Sequence, residues 1–204
     1  MPLIFHHLDA EREVGVWIAS EGLSFFAESL GAQGFDIRAG ERIPHPEKKL
    51  QWYASRYLLA MMYPEAITLY DDRKPYLYNG PFVSFSHSKK AVAVILSHIN
   101  AGVDVQQKSP KLQRIAPKFL ACNDLEVMDY PTRAIDDALG IIWSVKEAVF
   151  KTYGTNVPFK EIVLTRYDEE NLIVHTELAS AARQAKHHVA VKRIGDIYLA
   201  YLLK

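Results

Sequence analysis

Apolar and polar positions follow two rhythms along this chain. A two-residue rhythm, or a short continuous apolar run, predicts strands at residues 3–8, 14–19, 67–70, 75–78, 82–88, 91–97 and 102–106, then at 161–167, 172–176, 188–194 and 197–203. A helical rhythm covers 21–30, with Leu23, Phe26, Ala27 and Leu30 on one face. It returns at 47–63, with Leu50, Tyr53, Ala54, Tyr57, Leu58 and Met61 together. Further helices are predicted at 109–120 and, after Pro131, at 132–153, where Gly154, Thr155 and Asn156 end the pattern. Asn123 to Glu126 has the N-cap spacing of a short helix between them. Residues 31–40 read as loop, with Pro44 and Pro46 at its end, and 177–186 as a polar segment with helical tendency. The spacing of 91–97 and 102–106 about a short turn predicts a hairpin. No Gly-, Ser- or Pro-rich linker divides the chain, yet each half sets helix beside a three-stranded antiparallel group. The expected fold is α+β, with two similar halves, 1–100 and 101–204, packed together.

Several positions break the apolar pattern in ways that suggest chemistry. Trp143-Ser144-Val145-Lys146-Glu147-Ala148-Val149-Phe150-Lys151 is apolar almost all round, as a buried helix is. Glu147 stands one turn after Trp143 and one turn before Lys151, so the three share a face. A carboxylate among apolar neighbours costs free energy unless a cation meets it, and that cation is Lys151, a metal, or both. A surface ion pair between Glu147 and Lys151 is the plainer alternative. In the strand Gly102-Val103-Asp104-Val105-Gln106, alternation sends Val103 and Val105 into the core. Asp104 and Gln106 then point to the other side, ~7 Å apart. Two oxygen-bearing side chains on one face suit Mg2+, and equally suit an ordinary half-exposed strand. Lys48, Trp52 and Arg56 form a stripe away from the apolar face of their helix, which by itself reads as a solvated face. Phe82-Val83-Ser84-Phe85-Ser86-His87-Ser88 ends in a cluster of hydroxyls and one imidazole; His87 alone would be an ordinary packed or exposed histidine.

Composition narrows the classes. The chain has 204 residues, half of them apolar, which is enough for one large domain or two small ones. Lys plus Arg and Asp plus Glu both number 24, so a nucleic-acid backbone is not an expected partner. A single cysteine, Cys122, excludes an internal disulfide and fits a reducing compartment. Charges at Asp9, Glu11 and Arg12 precede any apolar leader segment, and no run reaches the ~20 apolar residues of a membrane helix. The expected location is the cytosol, with no membrane contact.

Taken jointly and in order, Ala54-Ser55-Arg56-Tyr57-Leu58-Leu59, Arg73-Lys74-Pro75-Tyr76-Leu77, the Ser-His-Ser strand, Gly-Val-Asp-Val-Gln and Trp-Ser-Val-Lys-Glu-Ala-Val-Phe-Lys closely resemble the 4'-phosphopantetheinyl transferases. The likeness is to the larger, pseudo-dimeric kind that includes the surfactin-synthetase activator, and it runs from about Lys48 to Lys151. It implies transfer of the phosphopantetheine arm of coenzyme A to a serine of an acyl or peptidyl carrier protein, releasing adenosine 3',5'-bisphosphate. It implies Mg2+ on Asp104 and Glu147, with Gln106 as a third candidate ligand. Arg56, Lys74, His87 and Lys151 are the positions matching the family's coenzyme A phosphate binders. Lys48 matches more loosely; Pro75, Ser86 and Arg73 adjoin the same group. As hypotheses under that resemblance, Glu147 removes the serine proton, directly or through a metal-bound water, and Lys151 stabilises the leaving phosphate. A monomer is implied as well. Two departures stand out: Gln106 replaces a frequent glutamate, and Arg73 replaces a glycine before Lys-Pro. The rival readings are a non-catalytic relative that binds coenzyme A or a carrier, an interaction protein with a solvated charge pattern, and a metal hydrolase acting on another pyrophosphate.

Overall fold

A computed structural model describes residues 2–72, 74–129, 133–153, 157–180 and 183–204. The chain divides into two compact units, Met1–His98 and Ile99–Lys204. Among the described residues no helix is long and apolar enough to cross a membrane. Antiparallel sheets and helices in each unit make the protein α+β.

In the first unit, β1 (Leu3–Leu8) and β2 (Arg12–Ile18) precede the helices α1 (Leu23–Ala32), α2 (Arg38–Glu41) and α3 (Pro46–Met62). A two-stranded hairpin follows, β3 (Thr68–Asp71) with β4 (Lys74–Leu77), and then β5 (Phe82–Ser88) and β6 (Ala91–Ser97). The antiparallel sheet has the order β1-β2-β6-β5. Pro46 opens α3 at the one turn where a missing N–H costs nothing. Leu58 and Leu59 of α3, with Phe26 and Leu30 of α1, meet Trp17, Val92 and Val94 of the sheet in one core. Fully burying each such side chain stabilises the unit by about 1.5–3 kcal/mol.

The second unit starts with β7 (Val103–Gln107), then α4 (Lys111–Phe119), α5 (Asp124–Val127) and the long α6 (Ile135–Tyr153). A 3-10 turn at Phe159–Glu161 leads to β8 (Ile162–Asp168), β9 (Ile173–Ser180), β10 (Arg183–Ile194) and β11 (Ile197–Leu202). Their antiparallel sheet runs β7-β11-β10-β9-β8. Ile142, Val145 and Val149 of α6 fill the core with Val174, Val189 and Ala200 of the sheet. Two glycines set how closely α6 lies on that sheet. A Cβ at Gly140 would enter the Tyr198 ring, and one at Gly102 would strike the Ala148 carbonyl oxygen.

Four local expectations change. Residues 91–97 and 102–106 do not form a hairpin: β6 lies between β2 and β5, whereas β7 pairs with β11 in the other unit. Residues 177–180 and 183–186 are strand, not helix. Their Glu, Ala, Gln and Lys favour helix intrinsically, but pairing overrides it. Val174, Thr176 and Leu178 are buried in alternation on β9, as are His187, Val189 and Val191 on β10. Glu177 pairs in register with Lys186, whose Nζ lies 3.1 Å from Glu177 Oε1. Among the described residues the two larger sheets have four and five strands instead of three. Asn123 makes no side-chain cap bond to α5. The expected stop at Gly154, Thr155 and Asn156, and the Pro131–Thr132 start, lie outside the described residues.

Candidate functional site

Residues of β7 alternate as expected, but the faces are reversed from the simple reading. The side that meets α6 carries Gly102 and Asp104, which is opposite Ala200 of β11. Val103 and Val105 lie on the other face, also buried. Asp104 is therefore a carboxylate only 5% exposed, held under a helix. Lys151, in the last turn of α6, donates from Nζ to Asp104 Oδ1 at 2.9 Å and to the Val103 carbonyl at 2.9 Å. Glu147 stands one turn earlier on the same face and is half-buried. Burial pushes its carboxyl pKa up to about 6; the Lys151 ammonium pulls it down, and the nearby Asp104 charge raises it further. In place of the surface ion pair considered for Glu147 and Lys151 stands a partly buried group of two carboxylates and one ammonium, with Asp104 the buried member.

That donor set fits a hard cation. Mg2+ takes one or two carboxylates and completes its octahedron with water and phosphate oxygens. Among the described residues no cluster of three or more His, Cys, Asp or Glu side chains forms a self-sufficient metal cage. Asp104 and Glu147 instead feel each other's negative charge, which a divalent ion would relieve. Gln106 shares the Asp104 face of β7 opposite Tyr198, and its Nε2 donates to the Gln107 carbonyl at 2.7 Å.

The first unit assembles a different feature around Arg56. The predicted solvated stripe is wrong at this residue, which is 8% exposed. Its guanidinium lies 4.1 Å from the Phe85 ring centre, 4.9 Å from Trp52 and 6.0 Å from Tyr70. It donates to Ser55 Oγ at 3.0 Å and to the Tyr70 hydroxyl. Burial lowers the pKa of this cation, and Tyr70 opposes the shift. Tyr70 pairs in register with Pro75, so the Lys74-Pro75 end of the hairpin stands next to the residue that Arg56 holds. His87 is exposed and shares its strand face with Phe85, whereas Ser86 is buried on the opposite face. Lys48 and Lys74 are exposed, and Arg73 lies outside the described residues.

Sequence reasoning missed the ring partners of Arg56. Tyr70 and Phe85 sit on strands far from α3 in sequence, and nothing local marks them. It also passed over Lys146, fully buried and 2.6 Å from the fully buried Asp124. The available signal was a lysine on an almost wholly apolar helix face.

Residues 100–202 match the family model described as the 4'-phosphopantetheinyl transferase superfamily. Over 124 residues the chain is 24% identical to enterobactin synthase component D of Salmonella typhi, covering 58% of this chain and 53% of that protein. The chain thus spans about half the length of the curated relative it matches. The family match takes in half of the chain and every member of the Asp104, Glu147 and Lys151 group, and on that ground the chain belongs to the 4'-phosphopantetheinyl transferase superfamily.

Proposed function

We propose that this protein transfers the 4'-phosphopantetheine arm of coenzyme A to a serine hydroxyl of an acyl or peptidyl carrier protein, in a Mg2+-dependent reaction that releases adenosine 3',5'-bisphosphate. The observation that carries this reading is the meeting of Asp104, Glu147 and Lys151 from a strand and a helix. Asp104 and Glu147, with Gln106, would hold the ion. Mg2+, when bound, supplies charge neutralisation at the pyrophosphate oxygens.

The serine Oγ forms a bond to the β-phosphorus of coenzyme A, and the bond from that phosphorus to the bridging oxygen breaks. Glu147 takes the serine proton. In the metal-free protein its carboxyl pKa is about 6, above an ordinary glutamate and still ionised at neutral pH; Mg2+ held by the same carboxylate would lower it. Lys151 carries its positive charge to the oxygen that leaves with the nucleotide. Arg56, Lys48, Lys74 and His87, with Arg73, Pro75 and Ser86, are assigned to coenzyme A. Arg56 supports this assignment because its described polar partners are hydroxyls, not carboxylates, so its charge is left for a phosphate. One cysteine fits a cytosolic location, and the family resemblance implies a monomer.

The test is incubation with coenzyme A, Mg2+ and a panel of fatty-acid, polyketide and peptide-synthetase carriers. One carrier class gains the mass of a phosphopantetheine arm, and chelation of Mg2+ stops the gain. No mass gain on any class would reject the proposal.

A further inference from the structure

Lys146 precedes Glu147 on α6 and points elsewhere. It is 0% exposed, and its ammonium meets three acceptors from three separate segments. These are Asp124 Oδ2 of α5 at 2.6 Å, the Phe119 carbonyl at the end of α4 at 2.8 Å, and the Phe159 carbonyl of the 3-10 turn at 3.2 Å. Three N–H donors and three acceptors satisfy the group. Asp124 is satisfied too. It accepts from Ala121 N at 2.7 Å and, on its other oxygen, from Leu164 N of β8 at 3.1 Å. Burial pulls the pKa of Lys146 down, and the Asp124 carboxylate counters it.

The aromatic residues on the same side of α6 repeat this tether. Trp143 stacks on Phe159 at 5.3 Å and meets Phe119 edge-on at 5.1 Å. Phe150 stacks on Phe159 at 5.3 Å. On another side, Ala148 rests against Gly102. Glu147 and Lys151 project between these two contacts, so the rotation of the helix between them decides where the carboxylate and the ammonium arrive. At a helix radius with side chains of about 5–6 Å, a 20° turn moves a side-chain tip by about 2 Å. A displacement of only ~1 Å can cost on the order of a hundredfold in rate.

We infer that the buried Lys146–Asp124 pair is a latch that fixes the rotation of the last turns of α6, and that Lys146 is thereby a positioning residue for Glu147 and Lys151. Its effect on rate rests on the phosphopantetheinyl-transfer reading; its effect on the helix does not. An apolar pair of similar volume could fill the same space, so a charged pair here serves direction more than burial.

The test compares the wild type with the double variant D124N/K146M, which removes both charges together, and with K146Q, which keeps amide donors for the two carbonyls. Folding is verified by circular dichroism, so that if one variant fails to fold the other carries the comparison. In the folded variant, amide hydrogen exchange at residues 145–151 is expected to speed at least tenfold, with little change in β9 and β10. With the carrier substrate, kcat is expected to fall at least tenfold while KM for coenzyme A moves less than threefold. Unchanged exchange at 145–151 would overturn the latch. So would a kcat within twofold of an active wild type. If the wild type modifies no carrier but exchange at 145–151 still accelerates, the latch stands and the transfer reading fails.

Discussion

Lys151 Nζ donates to Asp104 Oδ1 at 2.9 Å, joining the end of a helix to an edge strand 47 residues earlier in the chain. Asp104 thereby acts on two neighbours at once, as a partner of Lys151 and as a repulsive charge for Glu147. Replacing it with asparagine removes the second effect. The Glu147 pKa is expected to fall from about 6 towards the glutamate value without reaching it, because burial is the larger cause and remains. Titration of the Glu147 carboxyl carbon by NMR checks this. Under the proposed function D104N also loses transfer by at least a hundredfold, read by carrier mass.

Glu147 trades stability for basicity. Its pKa is raised in the folded state, so between about 4.5 and about 6 the folded protein binds more protons than the unfolded chain. Stability therefore falls as pH rises through that window, and the full cost of ~2 kcal/mol is present above it. E147Q removes the charge and that cost. Urea unfolding at pH 7.5 is expected to show the variant more stable by up to ~2 kcal/mol, with the difference vanishing near pH 4. Carrier modification should be abolished in the same variant, and retained turnover would remove Glu147 from the role of base.

How much of this was legible in the sequence depends on distance along the chain. The turn-by-turn spacing of Trp143, Glu147 and Lys151 fixes one helix face, and the alternation of Val103, Asp104 and Val105 fixes two strand faces. Neither says which strand face the helix covers. That depends on Ala200 and Tyr198 of β11, almost a hundred residues later. The same blindness explains the false hairpin between β6 and β7. A short turn is a local signal, and the preference of β7 for β11 is not. On its helix alone Arg56 reads as solvated, because its covering rings, Tyr70 and Phe85, lie on distant strands.

Arg56 offers a test that separates stability from binding. Its cation–π contacts contribute about 0.5–2 kcal/mol, and its burial costs part of that back. R56M keeps the apolar bulk between Trp52 and Phe85. It is expected to unfold within ~2 kcal/mol of the wild type in denaturant. If Arg56 grips a coenzyme A phosphate, KM for coenzyme A rises tenfold or more while the variant remains folded. R56K recovers only part of this, because an ammonium cannot form the two parallel bonds of a guanidinium. An unchanged KM would return Arg56 to a purely structural role.

Gly102 is the least chemical letter of the Gly-Val-Asp-Val-Gln strand, and the packing explains why it is there. A Cβ at this position would come within 3.0 Å of both the Ala148 carbonyl oxygen and the Thr152 methyl. Backbone cannot swing aside as a flexible side chain can, so the helix itself must lift. Overpacking of this kind costs about 1–3 kcal/mol, occasionally more. Lifting α6 also draws Lys151 away from Asp104. G102A is therefore expected to lower stability by at least ~1 kcal/mol and to lower the Glu147 pKa shift and carrier modification together. G31A is the contrasting substitution. Gly31 lies inside α1 with open space where a Cβ would go, so alanine is expected to stabilise the protein by about 0.4–1 kcal/mol. Denaturant unfolding of the two variants side by side should move in opposite directions, and a G102A protein as stable as the wild type would mean that the helix does not bear on the strand at that point.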